Sequence, residues 1–332
     1  MEQLITLGIM VVKNIVVVCV LMGFVAYTTL LERKLLGRLQ VRPGPNRVGP
    51  FGLLQPIADG VKSFFKEDII PDEADKTLYV LAPGISLFAA LSMFAVIPFG
   101  PTVELFGQQV KLVIADLDTG LLYLLALATL GEYGVVLGGW ASGNKYGVLG
   151  ALRAAAQMIS YECALGLAVI GTIIIAGSIN LSEIVNAQAG LWFVAKYPFG
   201  FIFYLVAGLA EINRTPFDMP ESESELACGF NIEYSSMKFA TFMIAEYAHM
   251  FTVAAIVTTL FLGGWMGPGP AYLGPLWFII KVFAIIFFFI WERGTYPRAR
   301  YDHIMHFGWK FLLPLTLLNV VVTAALVAMG VL

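Results

Sequence analysis

The chain is poor in charge. Only 13% of its 332 residues are Asp, Glu, Lys or Arg, against about 25% in a typical soluble domain. Hydrophobic residues make up 59%, and the mean hydropathy is +0.82. That excludes a soluble globular enzyme and a disordered chain. Cysteine is also scarce. Cys19, Cys163 and Cys228 stand singly, so there is no disulfide scaffold and no C-x-x-C spacing for zinc, haem or an iron–sulfur cluster. They read as small packing residues. Neither G-x-G-x-x-G nor a P-loop occurs, so no nucleotide site is expected on this chain. A net charge of −3 argues against nucleic acid as a partner. The early apolar run carries Lys13 and Asn14 and has no small-residue cleavage site, so it reads as a retained span rather than a signal peptide.

What the chain has is long hydrophobic runs. A transmembrane helix needs about 20 apolar residues. Eight stretches qualify, at about 5–31, 78–99, 117–140, 154–177, 198–213, 240–262, 276–292 and 309–330, the fifth being short. The expected fold is an all-α polytopic membrane protein. It forms one integral-membrane domain over residues 1–332, without internal repeats, with eight transmembrane helices and an amphipathic interfacial helix in the first loop.

The basic residues orient it. Arg33, Lys34, Arg38, Arg42, Arg47, Lys62, Lys66, Lys76, Lys145, Arg153, Arg214, Lys238, Arg293, Arg298 and Arg300 fall in or beside the odd-numbered connections. The even-numbered ones hold only Lys111 and Lys196. The positive-inside rule then puts the odd loops in the cytoplasm and both termini outside.

In LLQPIADGVKSFFK (about 53–66) the apolar residues recur at helical spacing, with Asp59, Lys62, Ser63 and Lys66 opposite. This is the pattern of a helix lying at the membrane surface. It either packs on the bundle or roofs an opening that admits a lipid-soluble ligand. Arg33 precedes a Gly/Pro-rich turn and Arg47 lies in it; they can hold a polar headgroup, a partner carboxylate or a lipid phosphate.

Carboxylates stand inside or against four consecutive spans: Glu132, Glu162, Glu211 and Glu246. An ionisable group in hydrocarbon is costly and is a functional candidate by default. At about 1.5 Å per residue, Glu132, Glu162 and Glu246 lie roughly 9–12 Å below the cytoplasmic surface. The outer half holds only Lys13 and Lys281 as candidate charges. A route for protons, or for a charge signal, therefore reaches mid-membrane and needs a neighbouring subunit to continue. His249, three residues after Glu246, shares its helix face. The loop at about 214–239 is acidic, with Asp218, Glu221, Glu223 and Glu225 interleaved with Phe217 and Met219. Such half-buried acids titrate as a coupled set. Pro220 and the acids after it read as a helix start, with Glu221 and Glu225 stacked at i, i+4. No metal-ligand spacing is present.

Four strings carry a resemblance: ERKLLGRLQVRPGPNRVGPFGLLQPIADGVKSFFKED (Glu32–Asp68), AEINRTPFDMPESESELACGFNIEYS (Ala210–Ser235), PRARYD (Pro297–Asp302) and FGWKFLLPLTLLN (Phe307–Asn319). They are similar, in order and over the whole chain, to the H-subunit family of respiratory complex I, the proton-translocating NADH–quinone oxidoreductase. The resemblance implies a component of that enzyme at the junction of its peripheral and membrane arms. It would form the membrane-side quinone-access chamber and begin the chain of buried charges. Carried over by motif, Glu132, Glu162, Glu211, Glu246, Asp218, Glu221, Glu223 and Glu225 would serve proton relay and coupling. Arg33, Arg47, Asp59 and Phe217 would line the chamber and its mouth.

The ligand would be a quinone, ubiquinone or menaquinone, held with other subunits; no cofactor would be bound by this chain alone. The implied partners are the peripheral-arm quinone-site subunits, the small and antiporter-like membrane subunits, and lipid. The implied location is a bacterial inner membrane rather than a mitochondrial one. The alternative is the homologous adaptor of a membrane-bound hydrogenase or a related reductase that does not use quinone.

Overall fold

The computed structural model describes residues 2–105 and 108–331. Its elements are helices α1 (Glu2–Leu39), α2 (Gln55–Phe65) and α3 (Lys76–Met93), a hairpin of β1 (Val103–Leu105) and β2 (Gln108–Val110), then α4 (Gly120–Ala141), α5 (Lys145–Ala176), α6 (Leu181–Ala187), α7 (Phe193–Lys196), α8 (Pro198–Glu211), α9 (Glu223–Leu226), α10 (Ser236–Phe261), α11 (Gly274–Thr295), α12 (Tyr301–His306) and α13 (Leu313–Ala328). A π-helical turn, Phe307–Leu312, joins the last two. The antiparallel hairpin, with Val103 opposite Val110, is a small exception to an all-helical chain.

Seven helices among the described residues are long and apolar enough to cross a membrane, where eight were expected. The difference is α8, with 14 residues. At 1.5 Å per residue it spans about 21 Å, short of a hydrocarbon core of about 30 Å. Pro198 stands in its first turn. At its other end the chain turns through Asn213, at φ 58°, and folds back into the bundle. Ile212, Arg214, Phe217 and Met219 are all buried, so the following loop occupies volume that a longer helix would have filled.

Helix α10 is the axis of the bundle. From Met250 to Phe261 every residue is buried, as expected of a helix surrounded on all sides. Its hydroxyls are satisfied within the helix: Thr252 donates to the Ala248 carbonyl at 3.0 Å and Thr258 to that of Ala254 at 2.9 Å. Close helix contact elsewhere depends on small residues. Ser86 on α3 donates to the Gly131 carbonyl of α4 at 2.9 Å. A Cβ on Gly134 would lie 2.8 Å from the Ala82 carbonyl oxygen. A second buried cluster ties the 229–235 segment to α3 and α4. There Tyr79 and Tyr234 stack at 4.2 Å, and the Tyr79 hydroxyl donates to the Glu233 carbonyl at 2.6 Å.

Of the two readings open for α2 one fails, and the expectation for the cysteines changes. The apolar stripe of α2 does not pack on the bundle: Ile57, Val61, Phe64 and Phe65 are exposed, and the helix turns its polar face inward. The three cysteines are exposed, not buried.

On the far side of the bundle from the basic loops, Lys281 of α11 is buried without a carboxylate. Its ammonium donates to the carbonyls of Leu262 (2.6 Å), Gly264 (3.0 Å) and Met266. It also lies 4.3 Å from the Trp192 ring centroid. One side chain thus closes the loop after α10. Lys281→Met leaves buried carbonyls without a donor, at about 1–3 kcal/mol. Thermal unfolding should show a midpoint lowered by at least about 2–4 °C, with faster proteolysis of the 262–270 loop. An unchanged midpoint would mean that other donors satisfy these carbonyls.

Candidate functional site

The site is built around one guanidinium. Arg214 follows the turn at Asn213, and its side chain runs into the bundle, where it is only 7% exposed. Its Nη1 donates to Glu32 Oε2 at 2.6 Å, and its Nε donates to Glu246 Oε1 at 2.6 Å. Arg293, near the end of α11, pairs with the other oxygen of Glu32. Tyr247 donates its hydroxyl to Glu32 Oε2 at 2.8 Å, and its ring lies 4.2 Å from the Arg214 guanidinium carbon. Two arginines and two glutamates from α1, α10, α11 and the loop so form a nearly closed, charge-balanced group. Burial works against the charge of Arg214, but Glu246 and Glu32 outweigh it and keep the guanidinium firmly protonated.

The span glutamates gather beside this group. Asn213 donates through Nδ2 to both oxygens of Glu132, at 2.9 and 3.0 Å. The amide of Gln157 on α5 holds Asn213 in turn: its Nε2 lies 3.1 Å from Asn213 Oδ1, 2.6 Å from the Ala210 carbonyl and 2.8 Å from that of Phe217. Thr129 donates to Glu162. His249 Nε2 lies 3.8 Å from Glu211 Oε1.

Three small cavities link these groups. A 60 Å³ cavity is lined by Glu132, Asn213, Glu221, Glu246 and His249. One of 10 Å³ touches Tyr204, Glu211 and His249. Another of 10 Å³ touches Thr129, Glu132, Glu162, Glu211 and Asn213. A cavity needs roughly 10–15 Å³ for one water, so the first has room for several and the others for about one each. All four span glutamates and Glu221 therefore line neighbouring cavities that share walls and have room for water.

The loop acids divide. Glu221 faces inward: Asn231 donates to its Oε1 at 2.8 Å. Burial, reinforced by the nearby charges of Glu246 and Asp218, pushes its carboxyl up to about 8. Asp218 is also raised by burial, against the pull of Arg298 and Arg293. Its Oδ1 is buried and unpartnered, while Arg298 donates to its carbonyl. Glu223 and Glu225 face outward. Glu225 pairs with Arg153 of α5, and that hydrogen bond holds its carboxyl below the usual range. Glu221 and Glu225 therefore do not stack. Ser222, at φ 33°, turns the chain between them, and the helix begins only at Glu223.

Next to the charged group is an open cavity of 570 Å³, lined by α1, α2, α10 and residues 234–236. Its rim is polar, with Arg33, Asp59, Lys62, Ser63 and Lys66; its depth is apolar, with Met22, Val25 and Ile244; Tyr247 forms part of its wall. Arg33 and Asp59 pair at 2.6 Å, and Gln55 donates to Asp59 at 3.0 Å. Arg47 and Phe217 are not at this cavity. Arg47 is exposed on the loop before α2. Phe217 is buried against Tyr161, with ring centroids 5.4 Å apart. Among the described residues no group of three or more His, Cys, Asp or Glu could hold a metal ion.

The residues that sequence reasoning passed over are Glu32, Arg214 and Arg293. Glu32 is hidden in the string Glu32-Arg33-Lys34, where it reads as one charge of a membrane-edge cluster. Its available signal is that it stands one turn beyond Thr28, on the same helix face.

Two outcomes follow from this geometry. Arg214→Met leaves Glu246 without its partner and takes one of two guanidinium groups from Glu32, at about 3–5 kcal/mol, and should abolish accumulation of the chain in membranes. Arg214→Lys keeps the charge but not the two-pronged donor, and should assemble at a reduced level. Equal accumulation of both with the unaltered chain would mean that the bridge is dispensable. For Glu221, a folded pKa raised from 4.5 to about 8 favours the folded state at low pH, and that contribution is lost as pH rises through about 8. Protection of the 218–231 backbone against hydrogen exchange, taken relative to the intrinsic base-catalysed rate, should therefore fall between pH 5 and about 8. The fall should be absent in Glu221→Gln; a fall of equal size there would assign it to another group.

Comparison with known proteins bears on this arrangement. The family model described as NADH dehydrogenase matches residues 12–324. The chain is 54% identical to the second H subunit of NADH-quinone oxidoreductase from Geobacter metallireducens, over 96% of each chain. It is 53% identical to the H subunit of the same oxidoreductase from Syntrophotalea carbinolica, over 98% of each. With the corresponding protein of Protochlamydia amoebophila the identity is 50%, over 90% of this chain and 91% of the relative.

Proposed function

The chain belongs to the NADH dehydrogenase family as an H subunit of NADH-quinone oxidoreductase, the membrane component of complex I, and on that premise we propose that its 570 Å³ cavity admits quinone and that its buried carboxylates couple quinone reduction to proton movement. The observation that carries this reading is Tyr247. It lines the cavity and donates to Glu32, which Arg214 ties to Glu246. A change of charge at the cavity wall is thus one hydrogen bond from the charged group and two ion pairs from the carboxylate route.

The cavity suits an amphipathic ligand. Its apolar depth and the exposed apolar face of α2 favour a lipid tail, while Arg33, Lys62 and Lys66 favour a polar head at the rim. Lateral entrance from the bilayer needs no passage through water.

The coupling is electrostatically feasible. A unit charge about 10 Å from a carboxylate, at an effective dielectric of about 20, changes its ionisation free energy by about 1.7 kcal/mol, more than one pKa unit. This chain's residues then do three things. Arg214 redistributes its two hydrogen bonds between Glu32 and Glu246. Glu221 and Asp218 take up or release protons at the loop. Glu132, Glu162, Glu211 and Glu246 pass a proton or its field sideways.

In this reading the chain is one membrane domain, and α8 with its following loop is the eighth crossing. The basic, loop-rich face lies on the cytoplasmic side of a bacterial inner membrane, with both termini outside. Peripheral-arm subunits cover that face, and antiporter-like membrane subunits lie beside the glutamates. The distribution of Lys and Arg supports this orientation.

Glu211→Gln in the assembled enzyme should lower quinone reduction and proton uptake together, by about tenfold or more. A photoreactive quinone analogue should label α2 or α10, and Ala240→Trp should block the labelling. Normal turnover in Glu211→Gln would sink the carboxylate assignment. Labelling confined to other subunits would sink the cavity assignment.

A further inference from the structure

One buried titratable group has no part in the coupling route as stated. His249 stands three residues after Glu246 on α10. Its Nε2 is buried and has no hydrogen-bond partner, although buried polar atoms are nearly always paired. The nearest acceptor is Glu211 Oε1 on α8, at 3.8 Å. That is beyond a direct hydrogen bond, but a small side-chain adjustment or one bridging water closes it. Among the described residues, His249 is also the only polar side chain shared by the 60 Å³ cavity and the 10 Å³ cavity on the Glu211 side.

We propose that His249 carries protons between Glu211 and the cavity shared by Glu132, Glu221 and Glu246, a role that rests on the coupling route above. The neutral ring accepts the Glu211 carboxyl proton at Nε2, leaving a carboxylate and an imidazolium. The imidazolium gives that proton to water in the larger cavity, and Glu246 or Glu132 accepts it. Only O–H and N–H bonds change, and one proton moves. The titratable groups that face the ring across these cavities are Glu211 and Tyr204 from α8, Glu246 from its own helix, Glu132 from α4 and Glu221 from the loop. Imidazole suits this place because one ring can both accept a proton and pass one on. A carboxylate here would add a fifth acid to the four already lining these cavities. The ring is not the sole connection, since another 10 Å³ cavity joins Glu211 to Glu132 and Glu162 directly. Its loss should slow the exchange rather than stop it.

The test uses the assembled enzyme in inverted membrane vesicles, with rates normalised to the amount of complex. His249→Asn is small and polar and keeps the packing; His249→Gly leaves space for added imidazole. Both should lose about tenfold in proton uptake linked to quinone reduction, and the pH profile of that uptake should change shape. Added imidazole should restore part of the rate in His249→Gly. Full turnover with an unaltered pH profile in His249→Asn overturns the proposal. So does a loss with an unaltered profile and no imidazole rescue, which marks a packing residue. Glu211→Gln, run in parallel, separates the two levels of inference. If it is impaired while His249→Asn is not, the relay alone fails. If Glu211→Gln is itself silent, the coupling route fails.

Discussion

Everything on the charged face of this protein depends on the bridge that Arg214 makes between Glu32 and Glu246. The guanidinium cannot give up its proton, so it cannot escape burial by becoming neutral. It therefore has to be paired, and its fork geometry allows two carboxylates to be held at once. The three residues come from α1, α10 and the loop after α8. That loop enters the bundle because α8 stops early, and α8 is short enough to leave the space. The bridge, the shortened helix and the buried loop are one constraint seen from three sides.

The bridge also explains why the carboxylates lie where they do. Buried ion pairs contribute little net stability against a well-packed apolar alternative, because desolvation opposes the Coulombic gain. A fold that needed only stability would have filled this region with leucine. Instead the region holds two arginines, several acids and water-sized cavities. Asn213 and Gln157 add neutral hydrogen bonds that orient Glu132 without neutralising it. These features suit groups that must change protonation without losing their positions.

The apolar face of α2 has the same logic from outside. A helix whose apolar stripe packs on the bundle would shut the cavity behind it. Turning that stripe outward leaves the polar face against α1 and α10, with Asp59 paired to Arg33. Such a roof is stable only where something apolar covers its outer side. In a bilayer, lipid does so. The helix therefore holds the cavity open because of its surroundings.

The membrane character, the long spans, the amphipathic helix and the four span glutamates were legible in the sequence. Each depends on local periodicity or on the cost of a charge in hydrocarbon, both of which act within a single helix. The shortness of α8 was visible, but its consequence was not. Whether a loop buries itself depends on space left by other helices. The outward face of α2 was equally hidden, because a period fixes which residues share a face and not which way that face points. Glu32, Arg214 and Arg293 read as ordinary membrane-edge charges, since they are separated by most of the chain. Only the tertiary structure could bring them within hydrogen-bonding distance, because pairing of charges is a property of space and composition is a property of the chain.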